Sequence, residues 1–199
     1  MDETPRIEQF DPKYSEKKSA VAGVLDYVEI FVFAICAVLI IFSFAFRLCK
    51  VVGPSMEETL FQDEMLVVSD IGYKPERGDI IVFHQTGILN EPIVKRVIAT
   101  EGETVDINFK TWTVTITDVD GNTFVLDEEY MYLDSGMANL TSNQEYPYTV
   151  EENKVFVMGD NRNHSTDSRS TIIGTVDERR ILGKLVVRLT PFEKFGKVE

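Results

Sequence analysis

Cysteine and histidine are scarce in this sequence. Its 199 residues include two cysteines and two histidines, and both cysteines, Cys36 and Cys49, lie in the first quarter of the chain. On one helix these two would be roughly 20 Å apart, which is too far for a disulfide. The sequence therefore has neither a disulfide framework nor a Cys/His zinc cluster, and phosphate-binding glycine loops and a GxSxG motif are also missing.

Positive charge is also in short supply. The chain has 20 Lys and Arg residues against 33 Asp and Glu residues, for a net charge of -13. A nucleic-acid partner is not expected, because such binding needs a basic patch that displaces counterions from phosphates. About -12 of the charge lies after residue 50, so the downstream part is predicted to be an acidic, water-soluble domain.

A long apolar run near the N-terminus predicts a membrane anchor. Residues 30–46 contain neither a charge nor a glycine, and with their flanks they are long enough to cross a bilayer. A cleavable leader would have a shorter apolar stretch, about 7 to 15 residues, and a small-residue cleavage site after it. We predict a mobile cytoplasmic tail (1–23), a transmembrane helix (24–47) and an extracytoplasmic domain (48–199). The tail lysines favour this single-pass orientation in the cell membrane, although Arg47 and Lys50 oppose it.

The rest of the chain predicts a mainly β fold. Short runs rich in Val, Ile, Phe and Thr alternate with turn residues. They lie at 64–70, 79–85, 91–100, 103–107, 111–116, 123–126, 154–159 and 183–189. Residues 127–153 show no period and are interpreted as a loop excursion. Asp118–Asn122 is interpreted as a hairpin turn, because a calcium loop would need a third acidic ligand and a distal glutamate.

Ser55 and Lys95 are the candidates for chemistry. A serine hydroxyl is a poor nucleophile until a base removes its proton, and a lysine is a base only when apolar surroundings make it neutral. On a strand, Lys95 shares its face with Ile93 and Val97, and Arg96 points to the other side. Alternation alone does not show burial, so a catalytic pair and an ordinary edge lysine both remain open.

Four sequence blocks resemble a known family. They are VVGPSMEETL (51–60), RGDIIVF (77–83), IVKRVIATEGETV (93–105) and VMGDNRNHSTDSR (157–169). In this order, behind one anchor, they resemble the signature blocks of type I signal peptidases, in the single-anchor form of Gram-positive bacteria. The resemblance implies an antiparallel β-sheet or barrel catalytic domain. It also implies a serine endopeptidase that removes signal peptides from exported preproteins at the bilayer, with no metal or other cofactor.

The resemblance implies roles for individual residues. Ser55 would be the nucleophile and its N–H an oxyanion donor, Lys95 the general base, and Ser165 the hydroxyl that holds the lysine. Many family members have a second donor serine two places before the nucleophile, where this chain has Gly53. Charged residues that would hold the active-site loops together are Arg96, Asp160, Arg162, Asp167 and Arg169. Residues that would line shallow substrate pockets are Val51, Met56, Ile93 and Val94.

The sequence leaves alternatives open for the base and for the function. His164 is the alternative base, since a histidine replaces the lysine in related endoplasmic reticulum enzymes. The alternative functions are a signal peptidase dedicated to a few substrates such as pilins and a non-enzymatic, anchored envelope β module. Self-cleaving repressors share Ser/Lys chemistry, but they would need a DNA-binding domain and no anchor.

Overall fold

The computed structural model describes residues 12–85, 91–134 and 142–198. The chain divides after Phe44 into two compact units. The first unit is formed by helix α1, Pro12–Ala45. The second unit, from Ala45 onward, contains all the strands.

Helix α1 is longer than predicted at its N-terminal end. Residues 12–23, predicted as part of a mobile tail, are helical, and the helix ends at Ala45 instead of residue 47. Residues 13–23 include three lysines, two alanines and one glutamate, which favour helix, and a proline is well tolerated in a first turn. Extending an existing helix also avoids a new nucleation step. The 24-residue span Ala22–Ala45 is apolar and long enough to cross a membrane, which fits the predicted anchor.

The second unit confirms the predicted mainly β fold. All eight predicted strands are present, and three short strands, β1, β8 and β10, were not predicted. Strands β8 and β10 have two residues each, which are too few to show a period, and two of the four residues of β1 are charged. The strands are β1 Arg47–Lys50, β2 Met65–Ser69, β3 Ile80–Phe83, β4 Ile93–Ala99, β5 Thr104–Asn108, β6 Thr113–Thr117, β7 Thr123–Val125, β8 Tyr148–Thr149, β9 Lys154–Met158, β10 Val176–Asp177 and β11 Ile181–Thr190.

The strands form two antiparallel sheets. The order is β1-β2-β11-β3-β4-β9-β10 in the larger sheet and β7-β6-β5-β8 in the smaller one. Strand β4 pairs with β3 through Ile93–Arg96 and with β9 from Arg96 onward. Strand β9 ends at Met158, opposite Arg96, so within the described residues no strand continues the pairing beside Ile93–Lys95. The first half of β4 therefore has a free edge.

Strand β4 is buried on both faces along its whole length. Val94 packs into one apolar cluster with Val51 and Met56, whereas Ile93 and Val97 pack into another. A strand enclosed in this way buries every side chain it carries, including charged ones. This is why Lys95 and Arg96, neighbours in the middle of β4, are both buried.

Of the two predicted loops, one is confirmed and the other contains a short strand. Asp118–Asn122 is the predicted hairpin turn between β6 and β7, and Asp118 Oδ1 accepts hydrogen bonds from the N–H groups of Asp120 and Asn122. The predicted excursion 127–153 contains strand β8 near its end, which is a correction. Residues 135–141 of the excursion lie outside the described residues.

Candidate active site

Ser55 lies in a tight turn after β1. Gly53 adopts φ +85°, a left-handed conformation that favours glycine. Backbone hydrogen bonds from Leu60 N–H to Met56 O at 2.7 Å and from Thr59 N–H to Met56 O at 2.9 Å close the turn. The side chains of Met56 and Leu60 are completely buried in the core. Packing of the turn therefore fixes the backbone on which Ser55 presents its half-buried side chain.

Lys95 reaches this serine from β4. Its Nζ lies 2.6 Å from Ser55 Oγ and 3.0 Å from the carbonyl oxygen of Val94, and the residue is 3% exposed. Burial lowers the pKa of Lys95 to about 8, since loss of water disfavours the ammonium. The nearby Asp167 and Asp160 carboxylates oppose this effect, and the Arg169 guanidinium reinforces it. A neutral Lys95 is thus accessible at mildly alkaline pH.

The alternative candidate base, His164, does not reach Ser55. It is exposed, and within the described part of the chain no hydrogen bond joins it to Ser55. Its backbone N–H donates to the carbonyl of Asn161 in a short 3₁₀ turn, Arg162–His164. Lys95 is the basic side chain that the fold brings to Ser55.

The backbone N–H of Ser55 is available to a substrate. It donates to no other group within the described residues, whereas the Ser55 carbonyl accepts the N–H of Asn161 at 3.1 Å. A donor held in place without a partner suits an oxyanion that forms during acyl transfer. Gly53, at the position of the second donor serine, contributes no side chain.

Ser165 does not hold the lysine directly, which corrects the contact implied by the resemblance. Its hydroxyl donates to Asp167 Oδ2 at 2.6 Å. Lys95 Nζ makes its hydrogen bonds to Ser55 and Val94 within the described chain. The carboxylate of Asp167 is a strong acceptor for the hydroxyl proton of Ser165.

Gly159 allows the nucleophile and the Ser165 loop to approach each other. A Cβ atom on this residue would lie 2.3 Å from Ser165 Oγ and 2.4 Å from the Ser55 carbonyl oxygen. Contacts this short are forbidden, so any side chain here would displace one of the two serines. Sequence reasoning assigned no role to Gly159, although it lies within the fourth signature block.

Four of the charged residues to which the resemblance points form two buried arginine–carboxylate pairs. Arg96 donates through Nε and Nη2 to Asp160, at 2.9 and 2.7 Å. Arg169 donates in the same two-pronged way to Asp167, at 2.8 and 2.7 Å. This planar fork is the geometry in which arginine binds a carboxylate best. Thr59, which was not predicted, adds a hydrogen bond to Asp160 Oδ2 at 2.5 Å.

Asp167 remains ionised although it is buried. Burial alone would raise its pKa, but the Arg169 guanidinium, the Ser165 hydroxyl and the Gly159 N–H lower it below its usual range. Its negative charge therefore stays beside Lys95 across the physiological range of pH.

A groove with a volume of about 390 Å³ opens at Ser55 and Lys95. The four predicted pocket residues all line it, and all are buried: Val51, Met56, Ile93 and Val94. Five lining residues were not predicted: Val52, Glu91, Pro92, Thr166 and Ile173. Thr166 follows Ser165 in the fourth signature block, so the resemblance could have pointed to it. Nothing in the sequence links Ile173 to Ser55.

The arrangement suits acyl transfer. A hydroxyl in hydrogen-bond contact with a depressed-pKa amine, beside an unpaired backbone N–H, supplies a nucleophile, a base and an oxyanion donor. The groove and the free edge of β4 leave room for an extended peptide at the hydroxyl. A hydrolase acting on peptide bonds is the chemistry that these groups support.

Sequence comparisons with known proteins agree with this chemistry. A family described as signal peptidase, peptidase S26, matches residues 24–190. A signal peptidase I of Leptolyngbya laminosa is 32% identical over 208 aligned residues, which cover 98% of this chain and 93% of that protein. A signal peptidase IB of Staphylococcus aureus is 31% identical and covers 86% and 92% of the two chains. The crystal structure of a signal peptidase I from Enterococcus faecalis V583 has 33% identity and a TM-score of 0.41, and covers 57% of this chain and 98% of that one.

Proposed function

The chain belongs to the S26 family of signal peptidases, and from this premise we propose that Ser55 and Lys95 are the dyad with which it removes N-terminal signal peptides from exported preproteins. It is a serine endopeptidase of the signal peptidase I type. The observation that carries the assignment of the dyad is the 2.6 Å separation of Lys95 Nζ and Ser55 Oγ inside the substrate-sized groove.

The proposed reaction has two stages. In the first, neutral Lys95 accepts the proton of Ser55 while Ser55 Oγ attacks the carbonyl carbon of the peptide bond that is cleaved. The Ser55 N–H donates to the oxyanion of the tetrahedral intermediate. The intermediate collapses, the C–N bond breaks, and the leaving amine of the mature protein takes the proton from Lys95.

The second stage releases the signal peptide. Its new carboxyl end is then an ester of Ser55, and Lys95 is neutral again. Lys95 accepts a proton from a water molecule that attacks the ester, and returns the proton to Ser55 as the ester bond breaks. Burial supports both stages, because it lowers the pKa of Lys95 to about 8 and makes the neutral amine accessible at mildly alkaline pH.

The substrate is proposed to bind as an extended strand between the free edge of β4 and the segment Val51–Gly53. Exposed backbone groups of a strand edge pair readily with an added strand. Side chains of the bound peptide that face the groove meet the walls formed by Val51, Met56, Ile93 and Val94. These walls belong to the core and cannot move aside, so large side chains are excluded and small ones such as alanine are accepted.

The chain is proposed to be a single-pass protein of the cell membrane with its N-terminus in the cytoplasm. The apolar helix spanning Ala22–Ala45 supports an anchor. Protease added to sealed cells should digest the β domain from outside. If the protease digests the β domain only after the membrane has been opened, the orientation is the reverse of the proposed one.

Single substitutions test the dyad in the full-length chain in detergent. Ser55→Ala and Lys95→Ala should each lower the rate of preprotein cleavage at least about 1000-fold, because the nucleophile or its base is lost. Ser170→Ala and Lys110→Ala, outside the groove, are matched controls and should retain the wild-type rate. Cleavage at the wild-type rate by either dyad variant would refute the assignment.

A further inference from the structure

The segment Glu128–Tyr132, here called the strap, contacts both the loop after β9 and strand β4. It belongs to the predicted loop excursion, to which the sequence assigned no role. It contacts two buried arginines: Arg162, in the loop after β9, and Arg96, in β4. The loop after β9 contains Asn161, which donates a hydrogen bond to the Ser55 carbonyl, and β4 contains Lys95 itself.

The first contact is a buried ion pair. Arg162 Nη1 donates to Glu128 Oε2 at 3.1 Å, and Nη2 donates to Glu128 Oε1. The side chains are 0% and 5% exposed, respectively. Arg162 Nε also donates to the carbonyl of Gly159 at 3.2 Å. Glu128 therefore neutralises the guanidinium that holds the Gly159 backbone, against which Ser55 and Ser165 are packed.

The second contact acts on β4. The ring of Tyr130 lies under the Arg96 guanidinium, with 3.9 Å between its centroid and Cζ, and the Tyr130 hydroxyl donates to Glu128 Oε1 at 3.2 Å. Such stacking stabilises a buried cation and restricts its position. Arg96 also donates to the carbonyl of Gly78 at 2.9 Å. Tyr130 thus helps to fix the residue next to Lys95 in β4.

The third contact joins the strap to the nucleophile through the backbone. Tyr132 N–H donates to the carbonyl of Asp160 at 2.8 Å, and Arg162 N–H donates to the carbonyl of Tyr132 at 3.0 Å. Between these two bonds lies Asn161, whose N–H donates to the Ser55 carbonyl at 3.1 Å. A shift of the strap would therefore be transmitted to Ser55 through one peptide unit.

We propose that the strap is a positioning element of the catalytic site, in which Glu128 and Tyr130 hold the Arg162 loop and the Arg96 strand in register so that Ser55 meets Lys95. The proposal rests on the assignment of Ser55 and Lys95 as the dyad. Neither strap residue lines the groove, so both act through other residues and do not touch the substrate. Removing either one should slow the chemical step without weakening substrate binding.

Four variants of the full-length chain in detergent test this proposal with a preprotein substrate. Glu128→Gln leaves the Arg162 charge unpaired, and Tyr130→Leu removes the ring under Arg96. Each should lower kcat about 10- to 100-fold with KM within about twofold of wild type, because small displacements of reacting groups cost rate. Tyr130→Phe keeps the ring and should recover most of the kcat lost in Tyr130→Leu. Glu152→Gln, at an exposed glutamate outside the strap and the groove, is the matched control and should keep the wild-type kcat.

Three results would overturn the proposal. One is a wild-type kcat in folded Glu128→Gln and Tyr130→Leu, and another is a rise in KM at constant kcat, which would make the strap a binding element. The third is a lowered melting temperature with unchanged kcat well below it, which would make its role purely structural. If Glu128→Gln does not fold, the comparison of Tyr130→Leu with Tyr130→Phe decides.

The same assays separate failure of the strap from failure of the dyad. Ser55→Ala must be inactive while wild type cleaves the preprotein. If Ser55→Ala cleaves as fast as wild type, the dyad assignment is wrong; if only the strap variants behave as wild type, the dyad stands and the strap proposal is wrong.

Discussion

Lys95 Nζ lies 2.6 Å from Ser55 Oγ, although 40 positions separate the two residues in the chain. The contact depends on a turn pinned by Met56 and Leu60 and on a strand that is buried on both faces. A buried amine in this position is useful because water no longer stabilises its charged form. Four predictions follow from the surroundings of this pair.

Activity should depend on pH through Lys95. The pKa of this residue is lowered to about 8, and only its neutral form accepts a proton. The value of kcat/KM should therefore rise about tenfold per pH unit below pH 8 and level off above it. Rates of preprotein cleavage between pH 6 and 10, at constant ionic strength, measure this. A flat profile would exclude Lys95 as the base.

Lys95→Met should stabilise the fold while it abolishes activity. At pH 7 the lysine is charged in both states, and a pKa of about 8 in the folded chain against 10.5 in the unfolded chain means that burying this charge costs about 3 kcal/mol. The folded protein loses the proton first, so this cost should shrink as pH rises from about 8 to 10.5.

Denaturant titrations at pH 7 and pH 10 measure the effect, with the fluorescence of Trp112, the single tryptophan, as the reporter of the β domain. Lys110→Met, at an exposed lysine, is the control and should change the free energy of unfolding little at either pH. A stability gain in Lys95→Met that is equal at the two pH values would contradict the explanation.

Gly159→Ala should slow cleavage strongly. The added methyl group would lie 2.3 Å from Ser165 Oγ and 2.4 Å from the Ser55 carbonyl, so the nucleophile must move. A displacement of this size is expected to lower kcat about 100-fold. Gly23→Ala, where the methyl group meets open space, is the matched control. Equal kcat values for the two variants would show that the site tolerates the side chain.

Ile173→Ala should widen substrate selection. Ile173 lines the groove and is buried, whereas its neighbour Ile172 is exposed and outside the groove. Removing the wall should raise kcat/KM for preproteins with valine in place of a small residue before the cut, relative to those with alanine, by about 10-fold or more. Ile172→Ala should leave this ratio unchanged. An unchanged ratio in folded Ile173→Ala would place the substrate elsewhere.

Eight strands were predictable because a run rich in Val, Ile, Phe or Thr between turn residues is visible from neighbouring residues alone. Strands β8 and β10 were missed because two residues carry no period, and their pairing depends on partners distant in the chain. The start of α1 at Pro12 was missed because a polar segment next to an anchor has no amphipathic pattern, although its residue types favour helix.

The site was predictable in part. Ser55, Lys95 and the two arginine–carboxylate pairs followed from the resemblance, and the structure brings each set together. The expected contact between the Ser165 hydroxyl and Lys95 is replaced by a hydrogen bond from Ser165 to Asp167, because a motif does not show where a hydroxyl points. Ile173 and Glu128 carried no signal, since they reach the site only through folding.

The sequence by itself determined the apolar anchor span, the mainly β domain, its acidity and the segments that carry Ser55 and Lys95. These properties depend on composition and on patterns over a few residues. Only the tertiary structure decided that burial lowers the pKa of Lys95 to about 8, that the Ser165 hydroxyl donates its hydrogen bond to Asp167 and that Glu128 neutralises Arg162. The reason is physical, since desolvation and ion pairing depend on what packs around a group, and those neighbours come from segments far apart in the chain.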